Sequence, residues 1–424
     1  MPPGIFRNSS YLMTAQLFTK VVSFFYTIYL IKILGDPAIF GLYTVALSYF
    51  SLISALAEFG INRFLTRQTA LLSNKKDNKN KLSELFCSVL LFRLALISVV
   101  YALFALFLRV SDPDHMRVAL TLLAVSAVLP QAIAFTLDSA FVGVEKLFWS
   151  SVGLVCLNIA TTLFGVFLLS NGYGVFGAVS AIVLGQIFYC LVLFIIPIKL
   201  GYRYLKETKT SPHALSFEML REIAVGSLPY GILGVLGLIY FKIDALLVAY
   251  IRGSYEAGIY GAAYKFLEAV VFIPATVATA MFPVLARLHS NDLAQVKRLY
   301  FKSLKLLFAA SFVVLLGFVV VLPILIQHFL PQYINAIPTL LILSLTIPFI
   351  FIHVPGSLVL LSSDRYLTGV IALSVITVSF NIAANLMLIP MFGYNGAAVV
   401  TVLSEALSFV VFFAFLQRQV FKRL

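Results

Sequence analysis

Two sets of side chains in this sequence have chemistry to offer. The first is oxygen. Asn381 and Asn385 stand four residues apart in an apolar stretch, so their amides fall on one face of a helix. Thr401 and Asp244 add a hydroxyl and a carboxylate from two other apolar stretches. Oxygen ligands with a single carboxylate suit a hard cation such as Na⁺, or Asp244 simply carries a proton. Glu405, midway along its own stretch, is another protonation candidate. Hydrogen bonding between helices is the competing reading of these polar groups.

The second set is cationic. Lys20, Arg93 and Lys265 each lie about nine residues inside an apolar stretch, with Glu268 one turn from Lys265 on the same helix face. Lys242 and Asp244 are two apart and point to different sides of one helix. Charges at such depth are costly and favour bundle interiors or watery cavities. Unpaired cations from both halves are expected to line one anionic cavity, and phosphate is their natural ligand. A structural ion pair, or a side chain satisfied by carbonyls, is the alternative at each. Lys32, near a stretch end, is expected to snorkel. Glu58 and Asp138 are expected to cap or pair near helix ends.

The elements that must position these groups are set by composition. Hydrophobic residues make up 61% of the 424 and charged residues only 11%, against roughly a quarter charged in a soluble domain. An all-α integral membrane protein follows. Crossing the hydrocarbon takes about 20 apolar residues, and twelve runs qualify: 11–34, 38–62, 84–108, 118–142, 148–170, 174–198, 222–251, 256–284, 303–326, 334–361, 367–389 and 395–417. Barrel strands would be half that length and alternate in polarity. The basic residues between runs number 22 on one side and 3 on the other, which predicts cytoplasmic termini. The net charge of +13 is therefore mostly topology, and no nucleic acid is expected as a partner. MPPGIFRNSS lacks the features of a cleaved signal, so the first run is expected to stay as an anchor. Cys87, Cys156 and Cys190 lie singly in apolar runs and predict neither disulfide nor metal site.

The chain also repeats itself. FGLYTVALSYF (40–50) and AGIYGAAYKFL (257–267) superpose Gly41 on Gly258, Tyr43 on Tyr260 and Ser48 on Lys265 at an offset of 217. At an offset of 219, Glu145-Lys146 meets Asp364-Arg365, and Gly174-x-x-Gly177-Ala178 meets Gly393-x-x-Gly396-Ala397. Two parallel six-helix lobes, 1–200 and 222–424, joined by a cytoplasmic linker 201–221, are predicted. The seventh run opens with Gly226, Pro229, Gly231, Gly234 and Gly237. A hinge-like helix is expected there, with close packing by small residues as the competing account.

LGDPAIFGLYTVALSYFSLISALAEFGI (34–61) and NIAANLMLIPMFGYNGAAVVTVLSE (381–405) resemble Wzx-type polysaccharide repeat-unit flippases, of the multidrug/oligosaccharidyl-lipid/polysaccharide exporter superfamily. The resemblance implies a V-shaped pair of six-helix lobes of the MATE-like fold in the bacterial cytoplasmic membrane. It implies translocation of an undecaprenyl-pyrophosphate-linked oligosaccharide, for O-antigen, capsule or another glycan, by alternating access. It further implies a cationic pyrophosphate cavity, which Lys20, Arg93, Lys265, Lys242 and Glu268 fit by position. A coupling H⁺ or Na⁺ would be held at Asp244, Asn381, Asn385, Thr401 and Glu405. No other cofactor is expected. Implied partners are the glycan-lipid, membrane lipid, and a polysaccharide polymerase with chain-length proteins, the carrier itself acting as a monomer. Rival readings are a multidrug exporter, which would need a deep carboxylate in the first lobe, and a lipid II flippase, whose branch usually has fourteen spans. An enzyme is disfavoured, because the outer loops are a few residues long and no Walker A, HExxH or Gly-x-Ser-x-Gly pattern occurs.

Overall fold

The protein is described here by a computed structural model covering residues 3–73, 79–199 and 217–423. Nearly all of it is helix, as a chain surrounded by hydrocarbon requires, since each backbone N–H and C=O must then bond within its own segment. The helices are α1 (Pro3–Leu34), α2 (Pro37–Glu58), α3 (Ile61–Ser73), α4 (Lys79–Ser111), α5 (His115–Ser126), α6 (Val128–Gly143), α7 (Leu147–Ser170), α8 (Gly174–Lys199), α9 (Phe217–Arg252), α10 (Ser254–Asn291), α11 (Leu293–Leu316), α12 (Leu322–Phe329), α13 (Ala336–Ser344), α14 (Thr346–Leu361) and α15 (Leu367–Gln419). A π-helical turn, Gly317–Val321, joins α11 to α12. Large apolar side chains such as Leu103, Leu106, Phe107 and Val110 on α4 face outward, which water would not tolerate and lipid does. The chain is a multi-pass membrane protein.

Among the described residues ten helical stretches are long and apolar enough to span, and α13 with α14, bent by 41°, makes an eleventh. The twelfth is hidden inside α15. Its 53 residues would reach about 80 Å as one straight helix, far beyond the roughly 30 Å hydrocarbon layer. Gly393, at φ 57° and ψ −142°, breaks it into two. Gly174, its partner in the repeat, has φ 53° and opens α8. Both turns use a backbone region in which a side chain is strained and glycine is free, so the twelve predicted runs are recovered.

The chain divides into two compact units, 1–30 with 46–238 and 31–45 with 239–424. The division therefore does not fall at the predicted 201–221 linker. Residues 201–216 of that linker lie outside the described residues, and 217–238 belong with the first unit. There, Gly60 comes so close to α9 that a Cβ would sit 2.5 Å from the Ser227 carbonyl oxygen and 2.6 Å from the Gly231 nitrogen. Gln68 donates to Glu222 (3.2 Å) and Arg63 stacks on Tyr230. In the second unit, residues 31–45 bring Gly41 against Gly258. A Cβ on Gly41 would meet the Ser254 carbonyl, and one on Gly258 would meet the Pro37 carbonyl. Pro37 and Ser254 are themselves partners in the repeat, so the two copies of the motif touch each other at matching atoms. At the α4–α5 tip, Asp114 caps α5 by accepting from the Met116 and Arg117 N–H groups (3.0 and 3.1 Å).

The expected hinge is not a break. α9 runs as one helix through Pro229. Gly226 packs on the Phe64 ring and Gly231 on the Phe59 backbone, whereas Gly234 and Gly237 face open space. Contact explains the first two, and only the last two are spare.

Candidate functional site

The oxygen set converges. Asp244 on α9 is 3% exposed. Its Oδ1 accepts from Asn385 Nδ2 at 2.8 Å, and its Oδ2 accepts from Thr401 Oγ1 at 2.8 Å and from Tyr260 OH at 3.1 Å. The turns at Gly253 and Gly393 explain why these groups meet. Asp244, Tyr260, Asn385 and Thr401 each lie seven to nine residues from one of those glycines, about 12 Å along a helix. The turns are tied together, because Glu256 accepts from the Tyr394 N–H (3.1 Å) and pairs with Arg252 (2.9 Å).

The arrangement suits a cation. Asn385 Nδ2 stands among three oxygens: Asp244 Oδ1, the Asn381 carbonyl at 2.9 Å and Asn381 Oδ1 at 3.2 Å. An amide has only two hydrogens for them. Its own oxygen, Asn385 Oδ1, is buried without a partner among the described residues. The nitrogen stands where a positive charge would, and turning the amide over would add a further oxygen to the set. Thr401 Oγ1, also 2.9 Å from the Ala397 carbonyl, completes it. No group of three or more His, Cys, Asp or Glu side chains that could hold a metal occurs among the described residues. One carboxylate with neutral oxygens fits a hard monovalent cation.

The cationic set does not converge. Lys20 is exposed on α1. Arg93 is 1% exposed and clasps three helices of the first unit: it donates to the Ala132 carbonyl (3.0 Å), Thr136 Oγ1 (2.9 Å) and Asn62 Oδ1 (2.6 Å), with Glu58 as countercharge. Lys265 donates to Glu268 at 2.7 Å, and Lys242 bonds to the other oxygen of the same carboxylate. The expectation of unpaired cations is thus corrected at Arg93 and Lys265, and Lys242 is paired as well. Lys242, Lys265 and Glu268 nevertheless carry one positive charge in excess and remain 17%, 20% and 31% exposed. Lys242 and Asp244 do point to different sides of α9, one to Glu268 and one to Asn385.

Glu405 on α15 is 3% exposed and faces His353 Nδ1 at 3.5 Å. Sequence reasoning passed over His353 and gave Tyr260 no role, although a lone histidine in TIPFIFIHVPGSLVLL was a visible signal. Tyr260 was harder to find, since its twin Tyr43 made it resemble a packing residue. Glu58 sits beside Arg93, as a paired carboxylate, and Asp138 beside Ser150.

The sequence matches the family described as "Polysaccharide biosynthesis protein" over residues 5–289. No curated protein matches the chain in sequence. Among solved structures it is similar to a lipid II flippase, MurJ, in an inward closed conformation (TM-score 0.78, 16% identity, 95% of this chain and 87% of that one). It is similar to an inward-facing multidrug resistance MATE family transporter of the MOP superfamily (TM-score 0.77, 15% identity, 97% and 98%). It also resembles a MOP superfamily transporter from Pyrococcus furiosus described by a reversed polarity of its binding pocket (TM-score 0.64, 15% identity, 98% and 95%). At such identities these likenesses speak for the fold. The chain belongs to the polysaccharide biosynthesis protein family and has the fold of the MOP-superfamily transporters.

Proposed function

We propose that the protein moves a polyprenyl-pyrophosphate-linked oligosaccharide repeat unit across the bacterial cytoplasmic membrane by alternating access, with both termini in the cytoplasm. The observation that carries this reading is the Lys242–Glu268–Lys265 cluster. Lys242 lies about 15 Å from the end of α9 and Lys265 about 17 Å from the start of α10 by helix rise. An excess positive charge at that depth is costly unless an anion visits it. A pyrophosphate would compete with Glu268 for two ammonium groups already held side by side. Arg93 has a different task, holding α3, α4 and α6 together.

Asp244, Asn381, Asn385 and Thr401 would hold Na⁺ as the coupling ion, which when bound supplies the charge that neutralises Asp244. Tyr260 keeps a hydroxyl on the carboxylate and steadies it when other donors turn away. The protein acts as a carrier, making and breaking no bond of its cargo, and hands the glycan-lipid to a polymerase with its chain-length proteins.

The test is leaflet exchange of a fluorescent polyprenyl-pyrophosphate oligosaccharide in proteoliposomes, read by quenching from outside. Replacing both Lys242 and Lys265 with Ala should slow exchange at least about tenfold, the rate equivalent of ~1.4 kcal/mol, in protein that still inserts and folds. An undiminished rate, or equal movement of an uncharged lipid-linked sugar, sinks the anionic-cargo reading. Asp244→Asn should remove the dependence on a Na⁺ gradient. Dependence on a H⁺ gradient alone, lost in the same variant, would make Asp244 a proton carrier.

A further inference from the structure

We infer that Glu256 is a positioning residue for cation binding: by clamping three helix ends together, it sets the register in which Asp244, Tyr260, Asn385 and Thr401 meet. This role presupposes that the oxygen cluster holds Na⁺, as proposed above. Glu256 stands in the first turn of α10. Its Oε1 accepts from Nε of Arg252, in the last turn of α9, at 2.9 Å. Its Oε2 accepts from the Tyr394 N–H, just past the break in α15, at 3.1 Å. The first N–H groups of a helix have no partner within it, so this carboxylate caps the second segment of α15 from another helix. The fit is close. A Cβ on Gly393 would lie 2.4 Å from Glu256 Oε2 and 3.5 Å from Arg252 Nε, so the carboxylate fills the space a side chain would need. The neighbouring residues are braced by α13, where Thr339 donates to Asn395 Oδ1 at 2.7 Å and Asn335 to Tyr255 OH at 3.3 Å.

From this clamp to the cluster the chain is unbroken helix. Asp244 lies eight residues before Arg252, Tyr260 four after Glu256, and Thr401 seven after Tyr394. Those spacings are about 12, 6 and 10 Å along the helices. A hydrogen-bonded helix has a fixed rise per residue, so an axial slip at the clamp reaches the cluster nearly undiminished. Asn385 precedes Gly393 and Thr401 follows it, so a changed turn at Gly393 moves the two relative to each other. Tyr260 OH and Thr401 Oγ1, 3.2 Å apart, form a second rung between the segments that Glu256 and Tyr394 join. Ligand distances around a metal ion hold to about 0.2 Å. A small slip is therefore enough to weaken binding.

The first half shows that the turn itself does not need the clamp. Gly174, the counterpart of Gly393, takes φ 53°, and among the described residues nothing lies within 4 Å of where its Cβ would be. At the offset of 217, Gly35 and Ile39 stand where the second half has Arg252 and Glu256. Asp36 serves only its own helix there, accepting from the Ala38 N–H at 2.8 Å. Glycine alone thus makes the turn. The bridging carboxylate occurs in the half that holds the oxygen cluster, where register matters.

The experiment is equilibrium binding of radioactive Na⁺ to the full protein in detergent, competed with unlabelled Na⁺ at fixed ionic strength. Glu256→Ala should raise the half-saturating Na⁺ concentration about tenfold or more, the usual loss when an outer partner of a metal site is removed, with the number of sites unchanged. Glu256→Gln keeps an acceptor for the Tyr394 N–H and should recover part of that loss. Asp36→Ala removes a helix cap of similar kind and should bind Na⁺ as wild type does. A Glu256→Ala protein that binds like wild type, or an Asp36→Ala protein that loses as much, overturns the role of Glu256 and leaves the Na⁺ site standing. Wild-type protein that takes up no Na⁺ removes both. Where Glu256→Ala does not fold, Arg252→Ala decides. That change leaves the carboxylate on Tyr394 but frees it from α9, and should raise the half-saturating concentration about threefold, the worth of a half-exposed ion pair. An unchanged value there overturns the inference.

Discussion

The two halves of the sequence carry opposite chemistry on matching positions. The offset of 217 places Thr27 where the second half has Asp244, Ser48 where it has Lys265, and Ser51 where it has Glu268. The offset of 219 places Thr162, Val166, Ile182 and Gln186 opposite Asn381, Asn385, Thr401 and Glu405. Thr27 turns its hydroxyl back to the Ser23 carbonyl of its own helix (2.8 Å), and Ser23 accepts from Asn158 (2.6 Å). The first unit thus uses polar groups to clasp helices, and its buried cation Arg93 is spent on that task. The second unit gathers its ionisable groups in contact with one another: Asp244 in the oxygen cluster, Glu268 between two lysines, and Glu405 facing His353. What both halves retain is glycine at the tight spots: Gly41 and Gly258 in contact, Gly174 and Gly393 at the turns. The glycines recur in both halves, whereas the oxygen cluster and the lysine–glutamate cluster lie in the second.

This division is broken most directly at Arg93. If the guanidinium is a structural clasp, Arg93→Ala strands Glu58 and unmakes bonds to α3 and α6, at a cost of about 3 kcal/mol or more. Thermal unfolding in detergent should show a large loss, and correctly inserted protein should become scarce. A variant that melts like wild type but no longer moves cargo would assign Arg93 to the substrate and erase the contrast between the units. A second break is Gly41→Val. The new side chain would have to part α2 from α10 where a Cβ already lies 2.7 Å from the Ser254 carbonyl carbon, costing about 1–3 kcal/mol. Gly258→Val should cost a similar amount, because the contact is symmetric. A much smaller effect at one of the two would mean that the matching is accidental.

How far this was legible in the sequence differs by element. The twelve runs could be read because hydrocarbon thickness fixes helix length, and the gap between runs 367–389 and 395–417 contains Gly393, where α15 breaks. The oxygen set was legible because Asn381 and Asn385 share a helix face and few polar residues compete with them. The cations misled. Sequence gives depth along a helix but not the direction of a long side chain, so Arg93 looked like a cavity residue when it faces Asn62 and Thr136. Lys242 and Glu268 are 26 residues apart, and only the packing of α9 on α10 reveals that one carboxylate serves two lysines. The glycines of α9 were ambiguous for a related reason, since glycine density reports backbone freedom and close contact with the same letter.

The spare glycines sharpen that last point. Gly234→Ala and Gly237→Ala meet nothing within 4 Å, so helix propensity alone predicts a gain of up to about 1 kcal/mol at each. A raised melting temperature with an unchanged exchange rate would make them ordinary lipid-side residues. A raised melting temperature with slower exchange would make α9 a helix that must bend during transport.

The smallest expected effect compares the two tips that precede the fourth and tenth spans. In the second unit, Tyr333 packs edge-on against Phe40 at 6.1 Å. In the first, an ion pair closes the tip, with Arg117 giving a two-pronged bond to Asp112 at 2.6 Å on both oxygens. Burial pushes the Asp112 carboxyl up, but the bonds from Arg117 and the Asp114 N–H outweigh it and hold the group below the usual carboxylate range. A folded-state value below the unfolded one of about 3.9 gives stability that is complete above the unfolded value and lost as pH falls through the folded one. Wild-type protein should therefore lose stability below about pH 4 faster than Asp112→Asn, with a difference at neutral pH of about 1 kcal/mol or less. Tyr333→Phe should leave the acid limb as it is in wild type, since the Asp112–Arg117 pair is intact and an edge-on ring contact carries no proton. Parallel acid limbs in wild type and Asp112→Asn would mean that the Arg117 fork adds no stability, and the two tips would then be held by packing alone.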